Sequence, residues 1–280
     1  MTALTVNRLA GSVGAEVVGV DRDRIVSDPT LAPSIIETLE AAGVLVFHDL
    51  SLTPTEQVGL CSRLGAVDES VGFDSVPGAY LVTLDTSKNP SADYLRGTFE
   101  WHIDGCTPLN DEYPQMATVL SARAVADRGG ETEFASTYAA YDDLTDEEKE
   151  RFDGLRVAHS LEASQRRVNP DPSAEQVARW RSRPTNEHPL VWTHRSGRRS
   201  LVIGASADHV VGMDVDEGRA LLDDLLLRST TPDRVYRHQW TIGDTVIWDN
   251  RGVLHRVEPY AMDSPREMLR TTVLGDEPIQ

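Results

Sequence analysis

The sequence predicts a mainly β protein with flanking helices, in which short strands form an antiparallel sandwich or barrel. Apolar runs of three to five residues recur through the second half of the chain, at 116–120, 201–203, 245–248 and 271–274. Gly, Pro, Asn and Asp stand between these runs, as expected of turns that join strands. Helical patterns fall before and between the runs, which predicts helices arranged around a sheet-rich core.

The opening of the chain is α/β in character. Residues 30–43 carry apolar side chains at helical spacing and end in a glycine, which predicts a helix that stops there. Val44–Phe47 is wholly apolar and predicts a buried strand. Thr53, Pro54 and Glu56 combine a Pro at the first helical position with the spacing of a capping box, so we expect a second helix to begin there.

Two further helices and one polar excursion are predicted later in the chain. Residues 145–148 form another capping box, which opens a charged helix that runs to about Phe152. Residues 214–228 have the leucine spacing of an amphipathic helix. Residues 168–187 are polar and rich in Arg, Pro and Ser, so we expect a long excursion over the surface, of the kind that forms lids.

The length and charge of the chain limit its organisation and its partners. A chain of 280 residues is long enough for one large domain, and we expect a single domain over residues 1–280. The formal net charge is -18, and no basic stripe offsets it, so the chain repels phosphates and we expect no nucleic acid partner. In so acidic a chain, clustered arginines indicate a site that binds a specific anion.

A cytoplasmic protein without membrane segments is expected. No run approaches the roughly 20 consecutive apolar residues of a transmembrane helix. Residues 1–6 lack the basic start and apolar run of a signal peptide. The chain has two cysteines, Cys61 and Cys106, so no disulfide framework is implied.

Two histidines and one aspartate form a candidate metal site. His102 and Asp104 stand two residues apart, and on an extended strand alternate side chains share a face, so both can point to one ion. His255 follows about 150 residues later, just after the apolar run that ends at Trp248. Two imidazoles and one carboxylate on one face of an octahedron leave three positions open, which is typical of non-haem iron(II) oxygenases.

Candidate anion-binding residues lie close to these ligands in sequence. Arg266 and Arg270 are four residues apart, which on a strand means one face, and guanidinium groups bind carboxylates in a bidentate manner. Gly129 and Gly130 suit a tight turn between strands, after which Thr132 can offer a hydroxyl to an anion.

Each of these signals also has an ordinary structural interpretation. A lone His-x-Asp pair is common in proteins without a metal, and His255 alone fits a polar residue near a strand end. Two arginines in an acidic chain fit surface ion pairs. Paired glycines fit a plain hairpin. The functional interpretation therefore depends on the whole set.

That whole set resembles the iron(II)- and 2-oxoglutarate-dependent dioxygenases of the taurine dioxygenase and 2,4-dichlorophenoxyacetate dioxygenase (TauD/TfdA) family. The resemblance extends over nearly the whole chain, and the C-terminal third looks closer to the aryloxyacetate branch than to taurine dioxygenase. Its motifs appear in the family's order: His102-x-Asp104, Gly129-Gly-Glu-Thr132, Trp248-Asp-Asn-Arg-Gly-Val-Leu-His255, then Arg266 with Arg270.

The resemblance implies a fold and a set of ligand-binding residues. The fold is a double-stranded β-helix, a cupin-like jelly roll, with the N-terminal helices against its outer sheet. His102, Asp104 and His255 match the iron ligands. Thr132 and Arg266 match residues that hold the distal carboxylate of 2-oxoglutarate.

The substrate-binding positions are less uniform. Arg270 matches a residue that binds the anionic group of the substrate. Thr98 falls where taurine dioxygenase has a substrate-contacting Asn, and Gly105 where that enzyme uses a backbone contact. Phe73 is the nearest aromatic residue where that enzyme places a His and a Tyr over the substrate, and these departures argue against taurine.

The expected reaction is hydroxylation of a small organic anion with Fe(2+), 2-oxoglutarate and O2, which yields succinate and CO2. Hydroxylation beside a heteroatom would lead to C–O or C–S cleavage, and Asp104 argues against halogenation because related halogenases lack that ligand. Lys88 and Arg96 could add positive charge for an acidic substrate, or be solvated loop residues. By analogy the family predicts a homo-oligomer, a dimer or a tetramer.

Two other classes of function remain open at this point. One is a jelly-roll protein that binds a small molecule without catalysis, with structural histidines. The other is a zinc-dependent hydrolase on the same three ligands, although zinc prefers a tetrahedral site and would leave Thr132 and Arg266 without a purpose.

Overall fold

The computed structural model describes residues 4–9, 11–108 and 114–280, with the backbone alone of residue 93. Residues 1–3, which entered the expectation about a signal peptide, lie outside the described residues. No helix in the described part of the chain has the length and apolarity needed to span a bilayer.

Strands outnumber helices among the described residues, as predicted. The strands are β1 (Thr5–Arg8), β2 (Ala15–Val18), β3 (Val44–Phe47), β4 (Gly72–Phe73), β5 (Val76–Pro77), β6 (Tyr80–Val82), β7 (Gln115–Ala124), β8 (Thr132–Ser136), β9 (Arg156–His159), β10 (Asn186–Pro189), β11 (Val191–Thr193), β12 (Arg199–Leu201), β13 (Ala207–Val210), β14 (Tyr236–His238), β15 (Thr245–Asp249), β16 (Val253–Val257) and β17 (Glu267–Leu274). The α-helices are α1 (Arg22–Ser27), α2 (Leu31–Ala42), α3 (Pro54–Leu64), α4 (Ala92–Leu95), α5 (Thr137–Asp142), α6 (Asp146–Phe152), α7 (Leu161–Val168), α8 (Ala174–Arg181) and α9 (Val215–Ser229), and a 3-10 helix covers Arg96–Phe99.

A major sheet and a minor sheet enclose the core. The major sheet has the order β1-β2-β3-β15-β7-β17-β6, and its pairs are antiparallel except β2 with β3. The minor sheet has the order β14-β8-β16. Buried side chains of both sheets meet between them, and the rings of Phe134 on β8 and Trp248 on β15 are 5.5 Å apart. This confirms the predicted jelly-roll core.

The N-terminal helices cover the outer face of the major sheet, as the resemblance implied. Ile35 and Leu39 of α2 and Leu60 of α3 belong to the same buried cluster as Val119 and Ile247 of the sheet. The predicted capping box at the start of α3 is present, and its reciprocal hydrogen bonds satisfy N–H groups that the first turn of a helix leaves free. These helices shield a face that would otherwise expose apolar side chains.

Two local predictions were wrong, and a third was incomplete. The strand expected at 201–203 ends at Leu201, because the chain turns inward towards Gly204, where φ is +122°. The excursion predicted at 168–187 consists largely of exposed or half-buried residues, but it also contains a helix that was not predicted, α8. A capping box between Ser173 and Gln176 and the buried Trp180 hold this helix. The Gly129–Gly130 segment is part of a longer connection between β7 and β8 rather than a tight hairpin turn.

Candidate metal centre

The three predicted metal ligands converge on one point. Ligand atoms of His102, Asp104 and His255 lie within 4.8 Å of one another. Backbone hydrogen bonds run in both directions between the two histidines, from His102 N to His255 O at 3.0 Å and from His255 N to His102 O at 2.9 Å. The strand predicted around His102 is absent: His102 forms an isolated bridge to β16, and Asp104 lies in the turn that follows. His255 lies on β16 of the minor sheet, and this single β-bridge positions His102 next to it.

The two imidazoles are oriented to present ring nitrogens to an ion. Nδ1 of His102 donates to the carbonyl oxygen of Glu100 at 2.8 Å, so its neutral ring keeps the Nε2 lone pair free, 3.9 Å from Oδ1 of Asp104. Nε2 of His255 is 3.5 Å from Oδ2 of Asp104. Burial lowers the pKa of His102, and burial together with the neighbouring His102 places the pKa of His255 well below its usual range. Neutral imidazole is the form that binds metals.

Donors surround the carboxylate of Asp104. Its Oδ2 accepts hydrogen bonds from Oγ1 of Thr118 and from Nη2 of Arg270, each at 2.9 Å. The hydroxyl of Thr118 accepts in turn from Nδ2 of Asn250 at 2.9 Å, and Nη2 of Arg270 also donates to Oε1 of Gln115 at 2.8 Å. Burial alone would raise the pKa of Asp104, but Arg270 and the two imidazoles hold it well below its usual range. Asp104 is therefore a carboxylate, with Oδ1 free of these donors.

A buried guanidinium without a carboxylate partner lies beside the glycine pair. Arg266 is 1% exposed, and its Nε donates to the carbonyl oxygen of Gly130 at 3.2 Å. Its Nη2 is buried and has no hydrogen-bond partner among the described residues, although the guanidinium packs 5.0 Å from the ring centre of Tyr260. An unpaired buried charge is costly, so this arrangement fits an anion that completes the site.

Thr132, the second predicted anion-binding residue, lies buried at the start of β8. Its Oγ1 accepts a hydrogen bond from Nε1 of Trp240 at 2.9 Å, which leaves its own O–H free to donate. The prediction that Arg266 and Arg270 share one strand was wrong in detail, because β17 begins only at Glu267, after Arg266. Arg270 therefore contacts the candidate ligand Asp104, while Arg266 contacts Gly130 of the glycine pair.

The predicted substrate contacts, Thr98 and Gly105, lie close to His102 and Asp104 in the sequence. Thr98 lies on the 3-10 helix that leads to His102, and its hydroxyl donates to the carbonyl oxygen of Leu95 at 2.6 Å. Gly105 has φ +85°, and a Cβ there would lie 2.7 Å from the backbone nitrogen of Gln115, so only glycine fits. Among the described residues, no hydrogen bond joins Thr98 or Gly105 to His102, Asp104 or His255.

Three further candidates, Phe73, Lys88 and Arg96, are half-buried or exposed. Phe73 is half-buried in the β4–β5 hairpin. Nζ of Lys88 is committed to Glu267 at 2.5 Å, so the surface interpretation fits this residue. Arg96 is exposed on the 3-10 helix.

The groups behind Asp104 were missed in the sequence analysis. Thr118 is a fully buried hydroxyl within an otherwise apolar stretch of β7, and a polar residue in such a run is a signal that could have found it. Asn250 is also buried, two residues after Trp248 and within the motif that ends at His255. Their hydrogen bond to each other depends on the pairing of β7 with β15, which these sequence signals do not give.

Comparison with known proteins identifies a family model and close relatives. Residues 5–272 match the model described as "Taurine catabolism dioxygenase TauD, TfdA family". The alpha-ketoglutarate-dependent 2,4-dichlorophenoxyacetate dioxygenase of Cupriavidus pinatubonensis is 42% identical over 258 residues, which cover 85% of this chain and 86% of the relative. The alpha-ketoglutarate-dependent sulfate ester dioxygenase of Pseudomonas putida is 31% identical over 297 residues, covering 99% and 91%.

A solved structure has the same architecture. The crystal structure of AAD-2 in complex with Mn(II) and N-oxalylglycine has a TM-score of 0.84 and 32% sequence identity, and the match covers 100% of both chains. A taurine dioxygenase from Burkholderia xenovorans has a TM-score of 0.78 and 27% identity, covering 99% of this chain and 91% of that one.

Proposed function

The chain belongs to the TauD/TfdA family of 2-oxoglutarate-dependent dioxygenases, and from that membership we propose that it hydroxylates a small organic anion at a centre formed by His102, Asp104 and His255. The observation that carries the proposal is the convergence of these three side chains. Arg266 adds a buried guanidinium whose Nη2 has no hydrogen-bond partner among the described residues. Family members of this kind use Fe(2+), 2-oxoglutarate and O2.

The three side chains fit iron(II) by their chemistry. Two neutral imidazoles and one carboxylate form the facial donor set of non-haem iron oxygenases, and Thr118 and Arg270 hold the carboxylate in one orientation. When bound, iron(II) supplies the redox chemistry in which substrate, O2 and 2-oxoglutarate become hydroxylated product, succinate and CO2. The protein's own residues orient the reactants and keep water out.

Arg266 and Thr132 suit the distal carboxylate of 2-oxoglutarate. The free Nη2 of Arg266 and the free O–H of Thr132 are both donors, and a carboxylate accepts from both. Charge-assisted hydrogen bonds from these two donors would hold one end of the co-substrate in a fixed orientation. This anion site also argues against a zinc hydrolase, in which it would have no purpose.

Arg270 is the proposed contact for the anionic group of the substrate. Its Nη2 is committed to Asp104 and Gln115, but its Nε is buried and has no partner among the described residues. Relatives are named for 2,4-dichlorophenoxyacetate and sulfate esters, which are organic anions with a heteroatom beside a C–H bond. We therefore propose a carboxylate, sulfate or sulfonate substrate, with C–O or C–S cleavage after hydroxylation. Thr98 and Gly105 are proposed as further substrate contacts.

We also propose a single domain over 1–280, a cytoplasmic location and a homo-oligomer, either a dimer or a tetramer. Two free buried cysteines, Cys61 and Cys106, suit a reducing compartment, where structural disulfides are rare. Light scattering coupled to size-exclusion chromatography tests the oligomer, since a purely monomeric protein at micromolar concentration would contradict it. Fractionation of cells that produce the full chain tests the location.

The decisive experiment uses absorption rather than turnover. Anaerobic addition of iron(II) and 2-oxoglutarate to the wild-type protein should produce a weak metal-to-ligand band in the visible, and His102→Ala should abolish it. A wild-type protein that retains no iron, shows no band and makes no succinate would favour a non-catalytic binding protein. A screen of small anions scored by succinate formation then identifies the substrate.

A further inference from the structure

A second cavity lies away from the three metal ligands, between two pairs of helical segments. α4 and the 3-10 helix form one wall, and α7 and α8 form the other. The cavity has a volume of about 160 Å³, and we call it the helical pocket. The side chains that matter for its chemistry are Tyr94, Arg96, Gln165, Asn169, Arg179 and Trp180.

The charge of the helical pocket is opposite to that of the chain as a whole. Among the described side chains that line it, two are arginines and none is a carboxylate, although the net charge of the protein is -18. Neither Arg96 nor Arg179 forms an ion pair with a described carboxylate, whereas Arg166, Arg167 and Arg181 on the same two helices each do. The acids of this region thus neutralise the neighbouring arginines and leave these two for another anion.

Aromatic rings form the apolar part of the pocket. Trp180 is 4% exposed, and the guanidinium of Arg179 lies 5.6 Å from the ring centre of Tyr94. A cavity of about 150 Å³ in another protein holds one benzene molecule, so the helical pocket has room for a single aromatic ring. Carboxamide groups of Gln165 and Asn169 add hydrogen-bonding capacity for the polar end of a ligand.

We propose that the helical pocket is a second binding site, specific for a small aromatic carboxylate with one ring. The carboxylate pairs with Arg96 and Arg179, and the ring packs against Tyr94 and Trp180. The site does not depend on the metal or on the proposed function, because none of its lining residues is a candidate metal or 2-oxoglutarate ligand.

The pocket adjoins the segment that leads to the metal centre. Gly97 lies against the amide of Gln165 so closely that a Cβ there would be 2.6 Å from Nε2. Gly97 belongs to the 3-10 helix that also carries Thr98, and His102 follows three residues after its end. A ligand in the helical pocket therefore holds together the 3-10 helix and α7, which pack against each other at this glycine.

The test is calorimetric titration of the full chain with 4-fluorobenzoate, under anaerobic conditions with iron(II) and 2-oxoglutarate present. Arg96→Gln and Arg179→Gln should each weaken binding at least tenfold, because each removes a charge-assisted hydrogen bond. Arg183→Gln is the matched control: it removes the same charge just beyond α8, outside the pocket, and should change the affinity less than twofold. Val168→Trp, which fills the cavity without altering charge, should also abolish binding.

The outcomes separate this site from the metal centre. Binding that survives Arg270→Gln but is lost in Arg179→Gln supports the proposal. Binding that is lost only in Arg270→Gln, an equal loss in Arg183→Gln and Arg179→Gln, or no saturable binding to the wild type at 10 mM would each overturn it. A ligand held away from the metal ligands is not itself oxidised, so succinate formation that is driven by 4-fluorobenzoate and lost in Arg179→Gln would place the ligand at the metal centre and overturn the proposal.

Discussion

The hydroxyl of Thr118 donates a hydrogen bond of 2.9 Å to Oδ2 of Asp104. Thr118 is fully buried, and its oxygen also accepts from the side-chain amide of Asn250. The amide thus donates to the hydroxyl, and the hydroxyl donates to the carboxylate of Asp104. Oδ1 of Asp104 receives none of these bonds, which leaves that oxygen free for a metal ion.

Removal of this donor should weaken metal binding. Thr118→Val keeps the shape of the side chain but leaves Asp104 without one hydrogen bond, and loss of such a partner behind a ligand typically costs about 10- to 100-fold in metal affinity. Cobalt(II) titration followed by visible absorption measures the affinity directly.

Thr118→Ser is the matched control for that variant, since it keeps the hydroxyl. It should stay within about threefold of the wild type, given that it retains the hydrogen-bond donor. Equal losses in the Val and Ser variants would mean that packing in β7, and not the hydrogen bond, sets the affinity. Thermal denaturation without metal checks that both variants remain folded.

Arg266→Ala should separate co-substrate binding from metal binding. The guanidinium is the buried group without an anion, so its loss removes charge-assisted hydrogen bonds worth about 1.5–3 kcal/mol each, which corresponds to a 10- to 100-fold weaker affinity for 2-oxoglutarate. Iron affinity should change little, because Arg266 makes no described contact with the three ligands. Anaerobic titration of the visible band with 2-oxoglutarate at saturating iron measures the first quantity. Loss of iron binding itself would show that Arg266 has a different role.

Gly130→Ala should impair the same anion site from the backbone. Gly130 has φ +80°, where a side chain costs about 1–2 kcal/mol, and its added Cβ would lie 2.9 Å from Cδ of Arg266. Gly197→Ala is the matched control, because Gly197 has φ +84° but no neighbouring atom within 4 Å. Both variants should lose stability in urea denaturation from backbone strain, with a further loss in Gly130→Ala from the contact with Arg266. Only Gly130→Ala should also weaken 2-oxoglutarate binding. Equal 2-oxoglutarate affinity in the two variants would contradict this placement of Arg266.

The convergence of the candidate metal ligands was predictable from sequence because two of them occur in a short motif with fixed spacing, His102-x-Asp104. The bond from Thr118 to Asp104 was not, since it depends on how β7 lies relative to the turn after His102. The excursion at 168–187 was predicted, but the helix within it was not, for a different reason. Its polar composition concealed one buried residue, Trp180, and a capping box, which together are enough to hold a short helix against α7.

His194 should make the protein sensitive to acid. The hydroxyl of Ser200 donates to the carbonyl oxygen of Arg251, so Nε2 of His194 must donate to that hydroxyl, and Nδ1 is buried without a partner among the described residues. Burial, together with the charges of Arg251 and Arg198, lowers the pKa of His194 from 6.5 to about 4.

The sign of this effect follows from proton linkage. The folded-state pKa lies below the unfolded one, so the unfolded chain binds a proton first as the pH falls. The contribution of His194 to stability is therefore complete above pH 6.5 and is lost progressively down to about pH 4. The full loss corresponds to roughly 3 kcal/mol, at about 1.36 kcal/mol for each pKa unit.

His194→Gln removes this titration and keeps an amide donor that can reach Ser200. The free energy of unfolding, measured in urea at pH 7.5 and at pH 4.5, should fall by about 2 to 3 kcal/mol more in the wild type than in the variant. Acid effects of the many carboxylates are common to both proteins and cancel in this difference. An identical pH dependence in the two proteins would mean that His194 gains a solvent path or a partner for Nδ1 on protonation, and that its burial does not limit the acid stability of the fold.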